Sequence, residues 1–182
     1  GGKSWTSANN GLLQTDIRAL AIDPKNPDTI YAGAEFGGVW KSENGGGSWQ
    51  NISSGLAPEA SVRSIVIDPT QPNIIYAADI QTGVYRSTDS GATWLQIKYG
   101  LKVKAIHGLA ISADGQTVYA ATEGNGVYRL DLGSQPPVAV PEIRLDEILG
   151  IADSPIKVDG SAADWVGRKI SGADPVGDAE EG

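Results

Sequence analysis

The chain has 182 residues, a net charge of −8 and 40% apolar residues, enough to bury one core with a small appendage. It lacks the basic stripe that nucleic acid requires, and having no cysteine it cannot form disulfides or bind zinc through sulfur. No apolar run approaches the roughly 18 residues that cross a bilayer. We therefore expect neither nucleic-acid binding nor membrane insertion.

The chain contains an internal repeat. Residues 17–56, "IRALAIDPKNPDTIYAGAEFGGVWKSENGGGSWQNISSGL", align without a gap on residues 62–101. A third copy, residues 106–132, keeps only the first three segments of the unit, and residues 4–12, "SWTSANNGL", match only its end. The first residue thus falls inside a repeat unit, and we expect the parent protein to extend further upstream.

Each unit contains four stretches of strand character. In the first unit they are residues 17–23, 29–34, 38–42 and 48–53. Four short strands in a period of about 45 residues are typical of a propeller blade. The sequence therefore predicts an all-β fold, a partial β-propeller of about three four-stranded antiparallel blades with an irregular C-terminal tail. We expect the third blade to lack its outer strand.

Small residues and apolar runs indicate how the blades pack. The second strands begin with a tyrosine followed by two alanine or glycine residues, at 31–33, 76–78 and 119–121. Such residues suit strands that a neighbouring sheet approaches closely. The first strands, with "ALAI", "SIVI" and "GLAI", lack polar alternation, which predicts strands covered on both faces.

The loops between the first and second strands are predicted to be turns. "DPKNPD" and "DPTQPN" contain Pro24 and Pro69, which fix φ, and each has an aspartate that can cap the turn. Calcium binding by these carboxylates is the alternative, but they offer too few oxygens. With one histidine, His107, and no cysteine, we predict no metal site and no cofactor.

The loops between the third and fourth strands are two similar hairpins, "KSENGGGSW" (41–49) and "RSTDSGATW" (86–94). Asn44 takes the place of Asp89, and a catalytic carboxylate does not tolerate conversion to an amide. Both side chains can accept backbone N–H groups across a turn, so we predict a structural role. The structural residues are Ser42, Asn44, Gly46, Ser48, Trp49, Ser87, Asp89, Gly91, Thr93 and Trp94.

These hairpins resemble a known repeat. "STDSGATW" fits every position of the Asp-box, or BNR repeat, whereas "SENGGGSW" departs at Asn44 and Ser48. Residues 1–133 are similar to the repeats of bacterial Asp-box propellers, which include sialidases, xyloglucan-degrading hydrolases, sortilin-like receptors and photosystem assembly factors. The resemblance implies that the boxes lie away from the ligand-binding face, and that the protein is extracellular or periplasmic.

Propellers bind ligands at the mouth of the channel, where the loops between the second and third strands lie. An acidic group occurs in each of these loops. Carboxylates there could act as acid and base on a glycoside, or could be solvated turn residues. The candidate ligand-binding residues are Glu35, Phe36, Asp79, Gln81, Glu123 and Asn125.

The resemblance to enzymes transfers no catalytic residue. Sialidases use three arginines, but Arg63 falls in a first strand and Arg86 and Arg129 in third strands, without a matching motif. Xyloglucanases use two aspartates on separate halves of a larger assembly, for which Asp79 is the one nominee here.

We therefore predict a non-catalytic binding or scaffold segment of a secreted bacterial protein that recognises polysaccharide or protein. The alternative is a fragment of a xyloglucanase-like or sialidase-like glycoside hydrolase, with most catalytic residues elsewhere. A third class is an assembly chaperone for a membrane complex.

The repeat pattern stops at residue 133. Residues 134–142 are proline-rich and predict a linker. Residues 143–182 are acidic, and "IKVDGSAADWVG" (156–167) is similar to the opening of family-nine-like carbohydrate-binding domains. We predict a truncated second domain there, largely irregular. The sequence leaves the oligomeric state open.

Overall fold

The computed structural model describes residues 2–133, which lie within one unit of the chain, Gly1–Gln135. These residues form eleven strands and no helix. The predicted linker, residues 134–142, and the predicted second domain, residues 143–182, lie outside the described residues.

The strands form three antiparallel sheets, which we name blades I to III. Blade I contains β1 (Ile17–Ile22), β2 (Ile30–Ala34), β3 (Gly38–Ser42) and β4 (Gln50–Asn51). Blade II contains β5 (Val62–Ile67), β6 (Ile75–Asp79), β7 (Gly83–Ser87) and β8 (Leu95–Gln96). Blade III contains β9 (Ile106–Ile111), β10 (Thr117–Thr122) and β11 (Gly126–Asp131).

Each blade is a meander in which sequential strands are neighbours. The all-β partial propeller is therefore confirmed, including a third blade with three strands among the described residues. The fourth strands are only two residues long, shorter than predicted. The reason is that the tryptophan before each one bonds elsewhere: Trp49 N donates to Asn10 O at 2.9 Å and Trp94 N to Ser54 O at 2.9 Å.

The blades pack face to face through their inner strands. Strands β1 and β2 contact β5, and β5 and β6 contact β9. A Cβ built on Gly33 of β2 would lie 2.7 Å from Val62 Cγ1 of β5, so the small residue is required by the close approach of the two sheets. This confirms the predicted packing role at Gly33, whereas Ala121 of β10 is exposed among the described residues.

The first strands differ in how they are covered. In β5, Ile65 is buried at 6% exposure because blade I lies against it. At the same position of β1, Leu20 is 67% exposed, since no described sheet lies on that side of blade I. The prediction of two covered faces is thus right for β5 and wrong for β1 in the part of the chain that the structure describes.

Hairpin topology separates two ends of each blade. The turns between the first and second strands share one end with the Asp-box hairpins, and we call it the box end. There Gly45 N donates to Asp28 O at 2.9 Å. The β2–β3 turns and the connections between blades share the opposite end, which we call the loop end. There Glu35 N donates to Asp16 O at 2.9 Å.

The proline-containing segments at the box end are turns, as predicted. Asp23 Oδ1 accepts Lys25 N at 2.8 Å and Asn26 N at 3.2 Å. In the next unit Asp68 Oδ1 accepts Thr70 N at 2.8 Å, again two residues along. These aspartates cap their own turns.

Candidate functional site at the loop end

The hairpin of blade II is held by one hydroxyl and one carboxylate. Ser87 is buried, and its Oγ accepts Gly91 N at 2.8 Å and donates to Asp89 Oδ1 at 2.7 Å. Asp89 in turn accepts Thr93 N at 2.9 Å on Oδ1 and Thr93 Oγ1 at 2.6 Å on Oδ2. The network closes the turn within its own blade.

These hydrogen bonds favour the ionised carboxylate. Those from the Thr93 hydroxyl and backbone N–H, followed by that from Ser87, lower the pKa of Asp89 to about 2. Such a group remains an acceptor at neutral pH and holds no proton to give to a substrate. The structural role predicted for Asp89 fits this chemistry.

The hairpin of blade I keeps the same geometry with different donors. Ser42 Oγ accepts Gly46 N at 2.9 Å, and Asn44 Oδ1 accepts Ser48 N at 2.8 Å. The bond between side chains is reversed, because Asn44 Nδ2 donates to Ser48 Oγ at 3.0 Å. An amide can therefore take the place of the carboxylate, because here the amide donates and the hydroxyl accepts, whereas in blade II the hydroxyl donates to the carboxylate.

The Asp-box tryptophans connect neighbouring repeat units. Trp94 is fully buried, and its Nε1 donates to Ile52 O of the preceding unit at 2.7 Å. Trp49 Nε1 donates in the same way to Ala8 O at 2.8 Å. The sequence predicted a structural role for both tryptophans but not this link between units. A 42-residue separation between bonded groups leaves no local signal.

At the loop end of blade I, Glu35 joins two blades. Its carboxylate lies 2.8 Å from Arg63 Nη2 of blade II and 3.2 Å from Arg18 Nε of blade I. The side chain of Glu35 is largely buried, so this network is better shielded from water than a surface pair. The carboxylate that was predicted to contact a ligand is thus paired with two guanidinium groups.

Asp79 of blade II is enclosed. It is 1% exposed, and its Oδ1 accepts Ser61 N at 2.9 Å while Oδ2 accepts the Thr82 hydroxyl. Thr82 Oγ1 also lies 2.9 Å from Tyr85 Oη. These bonds join the β6–β7 turn to the connection that precedes β5. Gln81, two residues later, is exposed.

In blade III the candidates are exposed. Glu123 lies 3.6 Å from His107 Nε2, an ion pair only when the imidazole is protonated. Asn125 Nδ2 donates to Glu123 O at 3.1 Å, which closes the turn. The six candidates thus lie in three separate turns of the loop end, and their role as ligand contacts stays a prediction.

The register of the strands shows that the three acidic residues are not equivalent. Tyr31, Tyr76 and Tyr119 occupy the same position of their second strands. Counting from them, Glu35 and Glu123 share a position, whereas Asp79 comes one residue earlier and inside β6. One residue along a strand turns the side chain to the opposite face. Counting from the tyrosines would have revealed this in the sequence.

The loop end of blade I contains an open groove of about 480 Å³. Phe36 lines it, is 56% exposed as a residue and has φ at 53°, a left-handed conformation that is uncommon for a bulky residue. The Phe36 N–H donates to Ser61 Oγ at 3.0 Å, which helps to hold this conformation. The groove is lined by Leu13, Gln14, Phe36, Gly37, Gly38, Trp40, Asn51, Ser53, Leu56, Ala57, Pro58, Glu59 and Ala60.

Residues 2–133 contain neither a cluster of metal ligands nor a membrane-spanning helix. No group of three or more histidine, cysteine, aspartate or glutamate side chains there could hold a metal ion. Nor does that part of the chain contain a helix able to cross a membrane.

Comparison with solved structures finds similar propeller enzymes. An ancestral GH74 enzyme is 28% identical, with a TM-score of 0.50 over 57% of this chain and 16% of that enzyme. The GH74 enzyme of Niastella koreensis is 29% identical, with a TM-score of 0.52 over 63% of this chain and 20% of that enzyme.

The GH74 xyloglucanase of Xanthomonas campestris, at 16% identity, shares the fold with a TM-score of 0.52 over 62% of this chain and 20% of its own. This chain therefore spans 16% to 20% of the length of these enzymes. A comparison with curated proteins finds no match.

The three meandering sheets and the serine-anchored hairpins of blades I and II define a segment of a BNR-type, or Asp-box, β-propeller. The Sortilin-Vps10 family, described as sortilin, neurotensin receptor 3, matches residues 1–103. The chain belongs to this family.

Proposed function

We propose that this chain is a non-catalytic recognition segment of a propeller protein and that the groove of blade I binds polysaccharide. The observation that carries the proposal is the exposed Phe36 ring, held at the edge of a groove that also contains amide and carboxylate side chains. A volume of about 480 Å³ lies in the range of small-ligand sites.

The chemistry of the groove favours a sugar. The apolar face of a pyranose can lie on the Phe36 ring, while hydroxyl groups bond to Gln14 and Glu59. Glu59 is exposed with φ at 56°, so two residues in uncommon backbone conformations flank the same groove. Such conformations cluster at ligand sites. The likeness to two GH74 enzymes at 28% and 29% identity is consistent with a carbohydrate ligand.

A non-catalytic role is favoured over hydrolysis because the described candidates do not form a carboxylate pair. Asp79 is buried and accepts hydrogen bonds from Ser61 N and the Thr82 hydroxyl, and Glu35 is bonded to two arginines. We place the protein outside the cytoplasm, as is typical of sortilin and GH74 domains.

The test is binding to a glycan array, followed by calorimetric titration of the full chain with the glycan that binds best. We expect Phe36→Ala to weaken binding by roughly tenfold, the effect of losing one aromatic contact. Leu95→Ala, another exposed apolar residue but on β8, is the matched control and should bind as wild type. Absence of glycan binding, or equal affinity of the two variants, would contradict the proposal.

A separate turnover assay tests the hydrolase alternative. The full chain should not release reducing sugar from the bound glycan. Hydrolysis that is lost in Glu123→Gln would show that the chain is catalytic.

A further inference from the structure

The connection between β8 and β9 concentrates positive charge in an otherwise acidic chain. Residues 90–113 contain three lysines and one histidine but no aspartate or glutamate, although the net charge of the chain is −8. The corresponding residues of the preceding unit, 45–67, contain one glutamate and one arginine. The three lysines lie between the two strands, and we call them the lysine cluster: Lys98, Lys102 and Lys104.

The side chains of the lysine cluster are available to a ligand. All three residues are exposed, and none forms an ion pair within residues 2–133. The carboxylates of the neighbouring turns have other partners. Asp79 accepts hydrogen bonds from Ser61 N and the Thr82 hydroxyl, and Glu123 lies 3.6 Å from His107 Nε2. A cationic surface without a carboxylate of its own attracts an anionic ligand.

This exposure belongs to the loop end and not to a bare face of a blade. The connection lies between blades II and III, which are both described. Its last residue is held by blade III, because Glu123 N donates to Ala105 O at 3.0 Å. The connection between blades I and II is likewise flanked by two described blades, and its Glu59 is exposed as well. Neighbouring blades therefore do not cover this part of the repeat.

The lysine cluster occupies in blade II the part of the repeat that lines the groove in blade I. Residues 56–60 of the first connection line that groove, and Glu59 is its one charged lining residue. The second connection has "LKVKA" where the first has "LAPEAS", and Lys98 aligns with Ser53, which also lines the groove. Two adjacent blades thus present, at the same end, an uncharged groove with one carboxylate and a cationic surface.

We propose that the lysine cluster binds the carboxylates of an acidic polysaccharide, a polymer that contains uronic acids. A lysine ammonium group is a point charge on a flexible stem, which suits carboxylates repeated along a polymer. Packed sheets lie about 10 Å apart, so one oligosaccharide can reach both the groove of blade I and the lysine cluster. The choice of a polysaccharide rests on the proposed function of the groove, whereas the charge of the ligand rests on the lysine cluster alone.

The experiment compares two polymers that share a backbone, polygalacturonate and its fully methyl-esterified form, in calorimetric titrations of the full chain. Wild type should bind polygalacturonate more tightly by about tenfold or more. This preference should shrink as salt is added, because salt screens exposed charges. Changing all three lysines of the cluster to glutamine should remove the preference.

Single variants provide a matched control for net charge. Lys102→Gln should weaken the binding of polygalacturonate by about threefold, the effect of one exposed ion pair. Lys25→Gln makes the same change of charge in an exposed residue at the box end, and should bind as wild type. Circular dichroism checks that each variant is folded. Equal losses in the two variants would overturn the proposal, because only net charge would then matter.

Two further results would overturn the proposal. One is equal affinity of wild type for the two polymers, or a triple variant that keeps the preference. The other is binding of poly-glutamate as tight as that of polygalacturonate, because the surface would then recognise an acidic peptide equally well.

Phe36→Ala separates this proposal from that for the groove. It should weaken the binding of both polymers by the same factor, because it removes an uncharged contact. If Phe36→Ala has no effect and the triple variant loses the preference, the groove proposal fails and the lysine cluster stands. If Phe36→Ala weakens both polymers and the triple variant keeps the preference, the lysine cluster fails and the groove stands.

Discussion

The Asp-box hairpins of blades I and II build one shape from two chemistries. Asp89 accepts a hydrogen bond from the Thr93 hydroxyl, whereas Asn44 donates one to the Ser48 hydroxyl. In both hairpins the serine anchor accepts the N–H of the equivalent glycine. What the two hairpins share is their serine and their tryptophan. The comparison teaches that hydrogen-bond geometry and the interblade link define the box, and that a negative charge is dispensable.

The largest expected effect comes from the tryptophans. Trp94→Ala should lower the free energy of unfolding by about 3–5 kcal/mol, since it empties a buried site and leaves Ile52 O without its donor. Trp49→Ala should cost less, because Trp49 packs on residues 8–11, which are exposed. Urea unfolding measures both, with Leu95→Ala as the control. Equal losses would mean that the two junctions are energetically alike.

The serine anchors should give an intermediate and equal effect. Ser87→Ala and Ser42→Ala each remove the acceptor of a buried glycine N–H, a loss of about 1–3 kcal/mol. Thermal unfolding of the two variants, compared at one pH, tests this equality. A clear difference between them would show that the charge on Asp89 strengthens its whole network.

The smallest effect is expected from the residue that differs. Asp89→Asn should destabilise the fold less than Ser87→Ala does, because the Asn44 box shows that an amide can occupy this position. The measurement is the midpoint of thermal unfolding at neutral pH. A loss larger than that of Ser87→Ala would contradict the interchangeability of the two boxes.

The effect of Asp89→Asn on stability should depend on pH. The folded-state pKa of Asp89 is about 2, below its ordinary value of 3.8, so its carboxylate contributes fully above the ordinary value. That contribution is lost as the pH falls toward about 2, where the folded-state carboxylate takes up a proton. The stability difference between wild type and Asp89→Asn should therefore stay constant near neutral pH and disappear in acid. Asn44→Asp should introduce a similar dependence in blade I.

Most of the fold could be predicted from the sequence because the repeat is local. The unit period and the turn residues located eleven strands within a few residues, and the serine, aspartate and glycine of "STDSGATW" identified the hairpin. Each of these signals lies within one blade, where spacing along the chain corresponds to spacing in space.

The candidate site could be predicted only in part, because its contacts cross between blades. Arg63 reaches Glu35 over 28 residues, and nothing near either one indicates the pair. The groove beside Phe36 combines the β2–β3 turn with residues 56–60 of the connection to blade II. Such a surface appears only once the connection lies against the turn, where Gly38 N donates to Ala60 O at 2.9 Å. The position of Asp79, by contrast, could have been predicted by counting residues from the tyrosine of each second strand.

The contacts of the glycines at positions 11 and 55 have a mechanical consequence. Each one lets a tryptophan carbonyl approach the chain of the preceding unit, so equivalent glycine–tryptophan contacts join successive units. In such an array stability is a sum of nearest-neighbour terms. Under a stretching force these contacts should break one at a time. The contact at Gly55 should break last, because its tryptophan is the more deeply buried.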